Sequence, residues 1–199
     1  MVAFVNFLIN QRWWWWWWFK LILNDTTRRR FDVIEVVRVS GFNAGHSAFN
    51  FLTSRRDVFV HSFDIGDTPQ VWTMASYLQR EFSGRLHIII GDSRTTVPSY
   101  FNAKRSTASL TCDIISVDGG HTSDAPLKDI LNFAGVASQP YNVMLVDDVD
   151  TPDVRKAWNF AIKTGIVQQL SLFTCRYGRG RRKQFAVGIV VRQKPLTTK

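Results

Sequence analysis

The residues best suited to chemistry lie in Cys112–Thr122, which reads Cys-Asp-Ile-Ile-Ser-Val-Asp-Gly-Gly-His-Thr. Ile114 to Val117 is a short apolar run rich in β-branched residues, followed by Asp118, two glycines and His121. Such a run, closed by glycine, reads as a buried strand leaving a sheet. A second stretch has the same plan: Tyr141 to Val146 is apolar and ends in Asp147-Asp148. One helix-like segment, Ala125 to Ala137, separates the two. A right-handed strand–helix–strand crossover makes the strands neighbours, about 4.8 Å apart, with their carboxyl ends side by side. Asp118, Asp147, Asp148 and His121 then converge. Clustered carboxylates repel one another unless a cation neutralises them, and a hard divalent ion, Mg²⁺ first, suits oxygen ligands. A hydroxyl beside such an ion loses its proton more readily. A histidine with the ordinary pKa of about 6.5 is mostly neutral at pH 7 and can take that proton. The plainer alternatives are that Asp147 and Asp148 serve the start of the next helix, and that His121 bonds to backbone after the Gly-Gly turn. Thr151 is better placed as the cap of that helix. His46 and His61 have no acidic cluster beside them and read as structural.

The elements that must hold these groups form a regular alternation from Phe31 onward. Val33 to Val39 reads as a strand, Gly41 to Gly45 as a turn and His46 to Leu52 as the start of a helix. Val58 to Phe63 is a strand ending in Asp64, and Thr68 to Phe82 a helix with apolar residues at helical spacing. Leu86 to Ile90 is a strand ending in Gly91-Asp92-Ser93. A helix is expected around Tyr100 to Ser106, after Pro98. Thr151-Pro152-Asp153 opens a helix that Gly165 ends. Leu170 to Cys175 and Phe185 to Val191 are strands around a basic loop. Seven strands with helices between the first five predict an α/β, doubly wound sheet.

Ligands of such sheets bind at the carboxyl ends of the strands. The small residues of Gly41 to Gly45 allow a tight strand-to-helix turn whose amides approach a nucleotide-like ligand. The spacing Gly-x-x-x-Gly differs from the dinucleotide pattern Gly-x-Gly-x-x-Gly. Asp64, about twenty residues on, is placed to accept ribose hydroxyls, and Asp92 and Ser93 to meet an adenine edge. Each acid alone could equally be a helix cap or a solvated carboxylate; polar groups ending four successive strands point to a ligand.

Five motifs, Gly41-Phe-Asn-Ala-Gly-His-Ser-Ala, Ser62-Phe-Asp64, Gly91-Asp-Ser93, Val117-Asp-Gly-Gly-His121 and Val146-Asp-Asp148, occur in order. Together they resemble class I S-adenosylmethionine-dependent methyltransferases, most closely the metal-dependent O-methyltransferase branch of macrocin-type and, more distantly, catechol-type enzymes. The likeness spans about Phe31 to Arg192. It implies a Rossmann-like seven-stranded methyltransferase sheet and S-adenosylmethionine as cofactor, with Mg²⁺ assisting methylation of a hydroxyl on a small molecule or sugar. Gly41, Asn43, Gly45 and Ser47 match the cofactor turn, Asp64 the ribose acid, and Asp92 and Ser93 the adenine side. Asp118, Asp147 and Asp148 match the metal ligands, with Asp118 also beside the cofactor. His121 matches the catalytic base. One departure stands out: relatives carry an acid two residues before the first glycine of the turn, and here Val39 stands there. That departure implies a weakened cofactor contact. It keeps open a second reading, a catalytically degenerate copy serving as a binding or membrane-associated module.

Composition bounds these readings. The chain has 199 residues, 45% hydrophobic and 21% charged, which is a globular composition. Residues 31–192 form one expected domain, between a tryptophan-rich segment, 1–30, and a polar tail, 193–199. Trp13 to Trp18 are consecutive, and no secondary structure buries six adjacent rings on one face. Asn6, Asn10, Gln11, Arg12 and Lys20 interrupt the segment too often for a membrane span. It reads as low-complexity sequence or as a peripheral membrane contact. No secretory signal is expected, and the location is expected to be cytoplasmic. Cys112 and Cys175 give neither a disulfide framework nor metal spacing and are expected as buried free thiols. The net charge of +9 is partly clustered in Arg179–Lys183. If the sixth strand runs parallel to the fifth, that loop rims the ligand edge and can attract an acidic substrate or a phosphate; a solvated hairpin tip is the alternative. Nucleic acid is not the expected partner, because the charge comes with no aromatic–basic motif.

Overall fold

Apolar runs alternate with helical periods, and the chain folds accordingly into strands crossed by helices. A computed structural model describes residues 36–104, 111–177 and 181–191. Its elements are β1 (Val36–Ser40), α1 (His46–Ser54), β2 (Phe59–Asp64), α2 (Pro69–Glu81), β3 (Leu86–Ile90), α3 (Ser93–Lys104) and β4 (Ile114–Val117). They continue with α4 (Ala125–Ala134), β5 (Val143–Val146), α5 (Pro152–Lys163), β6 (Val167–Tyr177) and β7 (Arg181–Val190). Segment 1–30, with Trp13–Trp18, lies outside the described residues, as do Arg179 and the tail 193–199. Among the described residues, no helix is long and apolar enough to cross a membrane.

The seven strands form one sheet in the order β3-β2-β1-β4-β5-β7-β6. Neighbours among β1 to β5 are parallel, and β7 is antiparallel to both β5 and β6. β6 therefore runs in the direction of β5, which brings the basic hairpin to the carboxyl edge of the sheet. Helices cover both faces. On one, Phe51 and Leu52 of α1 and Val71 and Leu78 of α2 pack with Val39, Val60 and Leu145. On the other, Val97 of α3, Ile130 and Phe133 of α4, and Val154, Trp158 and Ala161 of α5 pack on Ile115, Met144 and Val146. Strands buried on both sides read as continuous apolar runs, which is why β4 and β5 are legible as such. The strand order reverses between β1 and β4, the switch point at which such sheets open a crevice.

Several boundaries differ from the sequence expectation. α3 starts at Ser93, upstream of Pro98, which lies inside the helix. Asp92 supplies the start instead: its carbonyl accepts from the amides of Thr95 and Thr96 and from both threonine hydroxyls. β6 and β7 extend beyond their apolar cores into the polar residues Arg176 and Arg182, because cross-strand pairing continues to Tyr177↔Arg181. Thr151 occupies the N-cap position of α5 but makes no side-chain cap bond. Its hydroxyl donates instead to the Asp148 carbonyl at 2.9 Å, holding the loop that precedes the helix. Cys112 is buried and Cys175 half-buried, and neither forms a disulfide.

Candidate active site

Two turns meet at the switch point. Gly41 leaves β1 at φ 82°, a conformation that favours glycine. A Cβ there would stand 2.0 Å from the Asp118 carbonyl oxygen. The backbone of the β4 turn thus passes where only glycine leaves room, and the Asp118 amide donates to the Ser40 carbonyl at 3.1 Å. This contact joins the glycine turn to the Asp-Gly-Gly-His turn.

The crevice above it has a volume of about 740 Å³. Its lining includes Gly41, Asn43, Asp64, Asp92, Ser93, Asp118, His121 and Asp148. Gly45, Ser47 and Asp147, named with these in the sequence, are not among the lining residues. Gly45, at φ 74°, serves packing: a Cβ there would meet Leu78 at 2.6 Å. Val39 is completely buried in the core beside α1 and does not line the crevice.

Asp64 ends β2 with its carboxylate fixed by backbone. One oxygen accepts from the Asn43 amide at 2.8 Å and the other from the Gly66 amide at 2.8 Å. Asn43, at φ 49°, is tied to α2 through a hydrogen bond from the Gln70 amide to its side-chain carbonyl. Asp92 accepts from the Arg94 guanidinium, which holds its carboxyl below the usual range. Arg94 also reaches Asp124 at 3.0 Å and so bridges the start of α3 to the residue before α4.

The acidic cluster is built by the β4 and β5 turns. Asp118, His121 and Asp148 each place one ligand atom within 4.8 Å of the others. His121 Nε2 lies 3.4 Å from an Asp148 oxygen and 3.8 Å from an Asp118 oxygen. That nitrogen is buried and makes no hydrogen bond. The Asp118 carboxylate raises the His121 pKa most, Asp148 adds to it, and partial burial and Lys183 oppose. Asp148 adopts φ 54°, a strained backbone for a non-glycine residue and one often found at functional sites. Its amide donates to the Asp147 carboxylate at 2.8 Å, which engages Asp147 in shaping the turn. Ser123, at φ 60°, is pinned by a bond from its amide to Asp153 at 2.9 Å, so the first turn of α5 holds the loop that carries His121.

Three residues add to what the sequence suggested. Lys183 of the basic hairpin donates its ammonium to Asp148. Burial lowers the Lys183 pKa, but Asp148, Asp147 and Asp150 outweigh it and leave it above the ordinary value. Asp129 of α4 is completely buried, and neither of its carboxylate oxygens makes a hydrogen bond. Burial raises its pKa, and the nearby Ser93 and Ser40 hydroxyls oppose that rise. It lies directly behind Gly119, where a Cβ would meet an Asp129 oxygen at 2.9 Å. The available signal was a carboxylate on the apolar face of α4, in helical step with Pro126, Ile130 and Phe133. Arg94 carried no pattern that marked it. His61 is buried, and the Tyr100 hydroxyl lies 2.6 Å from its Nδ1, in keeping with a structural role.

The donor set can be weighed against a cation. Two carboxylates, those of Asp118 and Asp148, facing one point fit a hard divalent ion such as Mg²⁺ or Mn²⁺, and the orphaned, buried imidazole nitrogen of His121 stands beside them.

No protein-family model and no curated protein matches the sequence. Solved structures do match. Cofactor-bound Rv0187 from MTB is similar with a TM-score of 0.64 at 16% identity, over 78% of this chain and 72% of that one. The O-methyltransferase from Bacillus cereus in complex with SAH gives a TM-score of 0.60 at 11% identity, over 78% of this chain and 74% of that one. A candidate RNA methyltransferase from Pyrococcus horikoshii gives 0.56 at 16% identity, over 87% and 79%. At these identities the likeness is one of fold. The seven-stranded sheet with its reversed last strand is the Rossmann-like sheet found in these methyltransferases.

Proposed function

We propose that this protein is an S-adenosylmethionine-dependent O-methyltransferase that uses a divalent ion to methylate a hydroxyl on a small molecule or sugar. The observation that carries the reading is the convergence of Asp118, His121 and Asp148 in the lining of one crevice that Asp64 and the glycine turn also line. Asp118 and Asp148 would hold the ion, with Asp147 supporting the Asp148 turn. When bound, the ion would stabilise the deprotonated form of an adjacent hydroxyl, and the cofactor would supply the methyl group. His121 stands between the two carboxylates, with Nε2 free to take the hydroxyl proton. Asp64 offers its remaining lone pairs to the ribose, while its bonds to Asn43 and Gly66 fix its direction. Asp92 and Ser93 border the adenine side, with Asp92 held by Arg94. Bringing the acceptor oxygen into line with the methyl group is the larger part of the task, and the rigid strand ends supply it.

Arg182 and Lys183 open β7 at the same edge and favour an acceptor that carries negative charge. The test is methyl transfer from labelled S-adenosylmethionine to a panel of sugars and catechols, with Mg²⁺ or with EDTA. Transfer that EDTA abolishes and Mg²⁺ restores supports the reading. Transfer undiminished by EDTA removes the metal from it. Transfer to RNA and to no hydroxyl compound in the panel contradicts the acceptor class.

A further inference from the structure

The acidic cluster already has a cation of its own. β7 is antiparallel to β5, so its first residues arrive beside the end of β5 and the Asp147–Asp150 turn. They are fastened there by two backbone contacts. The Val149 amide donates to the Gln184 carbonyl at 2.9 Å, and the Gln184 amide donates to an Asp150 carboxylate oxygen at 2.9 Å. Lys183, next to that anchor, is delivered to Asp148 and donates its ammonium to Oδ1. The Asp148 side chain is 10% exposed and that of Lys183 48%. The carboxylate is therefore fixed in the site, while its partner reaches in on a flexible stem from solvent. The other Asp148 oxygen faces His121. A divalent ion drawn to Asp118 and Asp148 meets a carboxylate that Lys183 has already neutralised, and like charges at this range repel.

We propose that Lys183 is a built-in counter-ion of this site: its ammonium satisfies Asp148 in the metal-free protein and gives up that carboxylate when a divalent ion binds. Lys183 thus sets the metal affinity of the site. The inference rests on the metal reading given above, and the two can fail separately.

The test is a Mn²⁺ titration followed by electron paramagnetic resonance of free Mn²⁺, on full-length wild type, Lys183→Met, Lys183→Arg and Asp148→Asn. No cofactor is added. Thermal melts check folding, and Lys183→Gln replaces Lys183→Met if the latter does not fold. Lys183→Met should bind Mn²⁺ about tenfold more tightly than wild type, because one repelling charge is gone. Lys183→Arg should stay near wild type, and Asp148→Asn should lose the site. Equal affinity in wild type and Lys183→Met, with loss in Asp148→Asn, overturns the counter-ion role and leaves the metal site standing. Weaker binding in Lys183→Met overturns it as well, since the lysine then supports the site. No Mn²⁺ bound by either wild type or Lys183→Met overturns both the inference and the metal reading.

Discussion

Asp129 is the residue whose surroundings are most at odds with its chemistry. Wholly buried and without a hydrogen bond, it stands behind Gly119 near the hydroxyls of Ser40 and Ser93. Its folded pKa lies above the unfolded value, so the native state binds the proton more tightly. Stability is then favoured below about pH 4 and falls as pH rises through the folded pKa. Asp129→Asn removes that penalty while keeping the shape. Melting temperatures should show the variant more stable than wild type at pH 7, with the gap closing toward pH 3; a variant less stable at pH 7 would show that the charged form is satisfied after all. His121 has the opposite chemical type and the same direction of shift. The attraction of its imidazolium to Asp118 and Asp148 stabilises the metal-free protein below about pH 6.5 and is lost as pH rises through the raised folded pKa. Wild type should therefore exceed His121→Gln in stability at pH 5.5 and lose that advantage by alkaline pH. As the proposed base, His121 should also contribute about 10²- to 10⁴-fold to turnover, with cofactor binding unchanged in His121→Gln. Unchanged turnover would remove it as the base. The pairing of His121 with acids was legible in its three-residue offset from Asp118. The environment of Asp129 was not, because burial of one helical position depends on which strands the helix covers.

Among the elements, the turns after β1 and β4 decide whether a site exists. Gly41 is fixed by two independent constraints, its φ of 82° and the Asp118 carbonyl in the place of a Cβ. Gly41→Ala should cost about 1–3 kcal/mol from the backbone alone, and more from the displaced β4 turn. Denaturant unfolding measures this, and a loss below about 0.5 kcal/mol would mean that the turns are not locked together. The strands up to β5 were readable because each is an apolar run with a polar end. The limits of α3 and of the β6–β7 hairpin were less so. Pro98 argued for a late helix start, yet the Asp92 carbonyl gathers the amides and hydroxyls of Thr95 and Thr96 and opens the helix upstream. Arg176 and Arg182 carry no apolar signal, but they are held in strand by the ladder between β6 and β7. Thr151 sits where a cap was expected and uses its hydroxyl on Asp148, a choice set by the tight turn and invisible in the residue type.

For the molecule as a whole, strand order explains why distant motifs share a site. Reversal between β1 and β4 places the glycine turn against Asp118, and the β2 and β5 ends flank that point on either side. The order of motifs in the sequence carried this much. What it could not carry was the direction of β6, which depends on long-range pairing and brings Lys183 to Asp148. Val39 looked like a lost ligand contact in the sequence. In the fold it is a core residue, so the proposed cofactor binding would draw on the residues that line the crevice. The most direct measurement is calorimetric titration of S-adenosylmethionine into wild type and Asp64→Ala, with folding of both checked by thermal melts. Saturable one-site binding to wild type, weakened about 10- to 100-fold in Asp64→Ala as charged hydrogen bonds are lost, is the predicted result. A folded wild type that binds no S-adenosylmethionine, or binds it equally well without Asp64, would contradict the account.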